Sequence, residues 1–168
     1  MKKILLIMMA MFAFGLQNVS AQDAPLKIVT NHPDFKIKVK RCAASGKTLV
    51  LDLILLNEGT NDVENIRVHG GIAPSGWGAA EIYDDEVNIY REDKIIVKVA
   101  NDKKWGVYST SRFNIPTGVP IKLSVQVNDF SLSAENIARM KLFVDCPVWG
   151  INNRDKPVKF SNIPITRD

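Results

Sequence analysis

Asp84, Asp85 and Glu86 stand in a row with Asn88 two positions on, and oxygen atoms clustered in this way are what a calcium ion takes as ligands. The run lacks the alternating Asp-x-Asp-x-Asp-Gly spacing of a calcium loop, and a solvated hairpin tip accounts for the same residues without a metal. Any metal role would fall on Asp84, Asp85 and Glu86. Trp77, Trp105 and Trp149, with Tyr83, Tyr90 and Tyr108, offer ring faces on which a sugar could stack. Trp77 and Trp149 lie in glycine-containing stretches of the kind where binding residues gather, so Trp77, Trp149, Tyr83 and Tyr90 are the candidate ligand-binding side chains. The competing reading makes these rings core or loop anchors.

Covalent chemistry has little to work with. Ser75 sits in APSGW and not in a Gly-x-Ser-x-Gly elbow, and His69 has no evident positioned acid. Asp84 and Glu86 are titratable, but adjacent carboxylates are common on any surface. The segment GGIAPSGWG lacks the Gly-Lys-Ser or Gly-Lys-Thr ending of a phosphate loop. No catalytic residue, no cofactor and no enzymatic activity are expected.

The positions of these residues depend on where the chain works. Lys2 and Lys3, the apolar run Ile4 to Leu16 and the small residues Val19-Ser20-Ala21 form the three parts of a secretory signal, expected over residues 1–21. The run is shorter than the roughly 20 apolar residues a membrane-spanning helix takes, so no span is expected in the mature chain. No cysteine follows the cleavage site to accept a lipid. The product is expected in the periplasm or outside the cell. Loss of Lys2 and Lys3 lowers the formal charge from +4 to +2, which does not favour nucleic acid as a partner.

Two cysteines remain, Cys42 and Cys146, and in an oxidising compartment an isolated pair is most simply a disulfide. Two separate buried thiols are the alternative. Cys146 keeps phase with Leu142 and Val144, whereas Cys42 breaks the alternation of Phe35, Ile37 and Val39, so a bulge is expected near Arg41.

Residues 22–34 read as a polar leader, and residues 35–168 as a single domain. Phe35 to Lys40 alternates apolar residues with Lys36, Lys38 and Lys40, which suits a strand at a sheet edge. Thr48 to Asn57 is nearly all apolar and reads as a central strand, with Val63 to His69 returning as its partner. Short strands follow at 79–83, 87–90, 94–100, a broken one at 105–109 and 112–115, and others at 121–127, 140–146 and 158–165. One short helix is expected near residues 133–139, with Ser133 as its cap and Glu135 in its first turn. About seven to nine strands with turns between them point to an all-β antiparallel sandwich.

The ending Asn57-Glu58-Gly59, the segment YDDEVNIY at 83–90, PTGVPIKLSV at 116–125 and the short turn before MKLFV together resemble the immunoglobulin-like or telokin-like domains of secreted bacterial proteins. That resemblance covers most of residues 35–165. It implies an immunoglobulin-like β-sandwich outside the cytoplasm and carries no functional residue with it. The expected role is non-catalytic binding of an envelope or surface protein or glycan. A carbohydrate-binding module using the loop tryptophans is the alternative, and an unrecognised hydrolase the third reading.

Overall fold

The computed structural model describes residues 24–73, 78–100, 104–107, 112–146 and 157–167. They form two sheets built from twelve strands: β1 (Lys27–Val29), β2 (Phe35–Ser45), β3 (Thr48–Asn57), β4 (Val63–His69), β5 (Glu81–Asp84), β6 (Ile89–Tyr90), β7 (Ile95–Val99), β8 (Phe113–Ile115), β9 (Ile121–Asn128), β10 (Asn136–Asp145), β11 (Val158–Pro164) and β12 (Thr166–Arg167). The count exceeds the seven to nine expected because two-residue and three-residue strands such as β6, β8 and β12 are too short to carry a visible alternation.

One sheet has the order β12-β2-β3-β9-β7 and the other β1-β11-β10-β4-β8, with β5 also paired to β10 and β6 paired to β5. Every pairing between strands is antiparallel except that of β12 with β2. The stretch read as a featureless leader contains β1, which pairs with the outer side of β11.

β3 occupies its expected span, and its alternate residues Leu49, Leu51, Leu53 and Leu55 are fully buried. They meet Leu123, Val125 and Val127 of β9 and, across the sandwich, the inward row Met140, Leu142 and Val144 of β10. The register of β2 shifts between Val39 and Arg41. This bulge brings Cys42 and Ala44 onto the same inner face as Phe35 and Ile37, as the broken alternation required.

β4 does not return beside β3. β9 fills that side of β3 over eight register pairs, and β4 joins the opposite sheet against β10 and β8. Asn57 makes this switch possible. Fully buried, it donates through Nδ2 to the carbonyl of Asn61 at 2.8 Å and of Ile115 at 3.3 Å, while its Oδ1 accepts the Gly59 N–H at 3.0 Å. The turn after β3 is thereby tied to β8 in the other sheet. Further along, the Gly71 N–H reaches the Ile95 carbonyl at 2.9 Å, and a side chain at Gly71 would collide with the Glu92 backbone. Glycine is required there by close approach.

The expected helix at 133–139 is absent; residues 136 onward form β10. Ser131 explains the misleading cap signal. Its Oγ accepts the N–H groups of Ser133 and Ala134 at 3.2 and 3.4 Å, which makes a local turn and starts no helix. The alternation Met140, Leu142, Val144 then holds the chain in the sheet.

Candidate functional site

Two connections meet at one end of the sandwich: the β5–β6 turn, residues 85–88, and the β9–β10 crossover, residues 129–135. Asp84 is buried at the centre of the turn. Its Oδ1 accepts the N–H groups of Glu86 and Asn88 at 3.0 and 2.8 Å; its Oδ2 accepts Asn88 Nδ2 at 2.9 Å and the Tyr90 hydroxyl at 2.8 Å. Four donors match the roughly four acceptor positions of an ionised carboxylate.

The crossover is fastened to this turn from three sides. The Ser131 N–H donates to the Tyr90 oxygen at 3.0 Å, Ser131 Oγ donates to Glu86 Oε2 at 2.6 Å, and the Glu135 N–H points at both Asp85 oxygens at 3.2 Å. The Tyr90 ring stacks on Phe130 with centroids 4.8 Å apart and planes inclined by 28°. Burial, opposed by the Ser131 N–H and reinforced by Asp84, pushes the Tyr90 hydroxyl up to about 12. From the chain terminus, Arg167 donates to the carbonyls of Ser131 and Ala134 at 3.0 and 2.6 Å.

This fastening leaves apolar side chains facing water. Val87 is 80% exposed and Leu132 61%, with Ile89 beside them at 47%. Val87 has φ of 67° and Asp129 φ of 53°, and for a β-branched residue such as Val87 the left-handed region is a strained one. Leu132 stands between two open grooves. The first, of about 550 Å³, is lined by Lys47, Asn88, Ile89, Lys94 and Asp129 among others. The second, of about 560 Å³, is lined by Ser133, Glu135, Asn136, Pro164, Ile165 and Arg167.

The structure therefore brings Asp84, Asp85, Glu86 and Tyr90 together, but as a hydrogen-bonded frame. Among the described residues no three His, Cys, Asp or Glu side chains converge in a way that would hold a metal ion. Tyr83 belongs to a different group on the outer face of the β10 sheet: its hydroxyl donates to Glu81 at 2.7 Å and accepts from Arg91 at 3.2 Å. Burial of the Glu81 carboxyl opposes its ionisation, yet hydrogen bonds from Tyr83, Lys141 and Arg91 hold it down at about 2. Trp77 and Trp149, like Tyr108 and Ser75, lie outside the described residues. Trp105 is half-buried.

His69 is fully buried at the end of β4, where burial and then Arg67 lower its pKa to about 4. A neutral ring at physiological pH follows. Cys42 and Cys146 are both buried, and no S–S bond joins them. Cys42 shares its end of the molecule with Thr166, whose Oγ1 donates to its carbonyl at 3.0 Å, and Pro164 just before it pairs with Asn136. Cys146 follows the last residue of β10, ten residues beyond Asn136.

The residues that sequence reasoning passed over are Phe130, Ser131 and Leu132. Ser131 and Ser133 flanking an exposed leucine, directly after the aromatic Phe130, were the available signal.

No protein-family model matches the sequence, and no curated protein matches it. Among solved structures, a family 123 glycoside hydrolase from Clostridium perfringens, analysed for glycolipid glycan hydrolysis, is similar to it at 7% identity with a TM-score of 0.43. The match covers 84% of this chain and 27% of that one, so the chain spans about a quarter of the hydrolase's length.

Proposed function

We propose that this chain is an exported, non-catalytic module with an immunoglobulin-like β-sandwich, and that it binds another envelope or surface protein through the end formed by the β5–β6 turn and the β9–β10 crossover. The observation that carries the reading is the combination found there. A buried Asp84–Tyr90–Ser131 frame fixes two connections, and those connections hold Val87, Ile89 and Leu132 out in solvent. Ordering side chains on binding costs free energy, so a surface already fixed before contact binds more tightly than a mobile one. Exposed aliphatic residues rimmed by Lys47, Lys94, Asp129, Glu135 and Arg167 have the apolar centre and polar border of a protein-binding patch. The immunoglobulin-like assignment is supported by two mainly antiparallel sheets whose consecutive strands β3 and β4 fall in opposite layers.

A photo-crosslinking amino acid placed at position 132 tests the reading in the producing cell. A discrete adduct with one envelope protein, missing when the same group replaces Lys159 on β11, is the expected result. Equal adduct patterns from both positions would refute it.

A further inference from the structure

A second surface, on the opposite side of the fold's chemistry, lies on the outer face of the five-stranded sheet. The outward residues of β2 include Lys36, Lys38 and Arg41, placed by register opposite Leu56, Ile54 and Asp52 of β3. β9 contributes Lys122 opposite Ile54, and β7 contributes Lys98 opposite Ser124. Among the described residues Asp52 is the one carboxylate on this face. It is 8% exposed and already holds the Ser124 hydroxyl at 2.5 Å and Lys122 at 3.1 Å.

The other sheet is different. There two of the outward cations, Lys141 and Arg91, both rest on Glu81. On the five-stranded sheet Lys36, Lys38 and Lys98 have no carboxylate within ion-pair distance among the described residues, and Lys36 Nζ donates to the Pro33 carbonyl at 2.6 Å.

We propose that this face binds an acidic polysaccharide chain laid along β3. Adjacent strands stand about 4.8 Å apart and alternate residues of one strand about 6.7 Å apart. Lys36 and Lys38 therefore line one side of β3, Lys122 lies across it about 10 Å from Lys38, and Lys98 lies one strand further. Between the two rows, half-buried Val50, Ile54 and Leu56 make a shallow aliphatic floor. Charges on both sides and an apolar floor suit a linear polymer that carries an acid group at intervals and presents C–H faces between them. Lysines are mobile point charges that tolerate varied acid spacing. Among the described residues of its five strands the face has no outward aromatic side chain and no exposed large aliphatic one, which a bilayer surface or a protein hot spot would call for.

The surface is separate from the loop end proposed above, and either can fail without the other. The test is titration of the purified protein with polygalacturonate, neutral dextran and phosphatidylglycerol vesicles at 50 and 200 mM NaCl. Expected is binding to polygalacturonate alone, weakened about ten-fold by the higher salt as released counterions oppose it. The pair K38E/K98E should remove most of that binding, with K38Q/K98Q intermediate and serving in its place if charge reversal impairs folding. The pair K27E/K159E, which changes net charge equally on the other sheet, should leave binding intact. No binding to polygalacturonate, binding to vesicles in its place, or equal loss from both reversal pairs would overturn the proposal.

Discussion

The Tyr90 hydroxyl donates to Asp84 Oδ2 at 2.8 Å while accepting the Ser131 N–H at 3.0 Å, so one buried phenol couples the two connections that form the candidate binding end. Removing that oxygen leaves a buried carboxylate short of a donor and a partly buried N–H short of an acceptor. Tyr90→Phe should therefore destabilise the protein by about 1–3 kcal/mol in urea unfolding. Tyr83→Phe, where the hydroxyl is only half-buried, should cost less. Equal effects from the two would remove Tyr90 from its coupling role.

Asn57 is the other polar side chain on which the fold turns. Asn57→Ala would strip the Asn61 and Ile115 carbonyls and the Gly59 N–H of a partner at the point where the chain changes sheets. A loss of about 2 kcal/mol in urea unfolding is expected, against less than about 0.5 kcal/mol for the exposed Asn61→Ala.

Two strongly depressed pKa values contribute to the behaviour in acid. His69, buried beside Arg67, titrates near 4 in place of 6.5, so it stabilises the fold above pH 6.5 and that contribution is lost as pH falls through 4. Glu81, whose burial is outweighed by bonds from Tyr83, Lys141 and Arg91, titrates near 2 in place of 4.5, so its contribution is present above pH 4.5 and lost as pH falls through 2. Urea unfolding at a series of pH values should show His69→Gln flattening the decline between pH 6.5 and 4. Glu81→Gln should flatten only the decline below 4.5.

Cys42 acts on the alkaline side, as Tyr90 does. Burial pushes its thiol up to about 12 from 9.0, so its contribution to stability is full below pH 9 and lost as pH rises through 12. The native protein should resist iodoacetamide at neutral pH, because the thiolate is the reactive form. Unfolding without reductant should expose Cys42 to alkylation, read by peptide mass spectrometry. Alkylation that appears only after reduction would show Cys42 held in a disulfide, as the cysteine count and an exported setting suggest.

Strands with long alternation were legible in the sequence. β3 runs from Thr48 to Asn57 as its apolar run indicates, and the phase break before Cys42 located a real bulge. Sheet membership was not legible: Val63 to His69 reads as a natural return strand, and only the competition from β9 for the same side of β3 sends it to the other layer. The helix expectation failed because a serine beside an acidic residue signals a cap and a side-chain-closed turn alike, and Ser131 makes the turn. At the candidate site the chemistry of Asp84, Glu86 and Tyr90 was visible in residue type. Their partners were not, because Ser131 lies 41 residues from Tyr90 and 45 from Glu86.

The most direct test of the binding account is the affinity of the crosslinked partner, once purified, for the wild-type protein and for Leu132→Asp. Leu132 makes no contact on which the Asp84–Tyr90–Ser131 frame depends, so the variant should unfold at the wild-type urea concentration. Placing a charge where an apolar contact forms should weaken binding at least about ten-fold, in line with the 1.5–3 kcal/mol that burying a leucine contributes. Unchanged affinity in the folded variant would contradict the account.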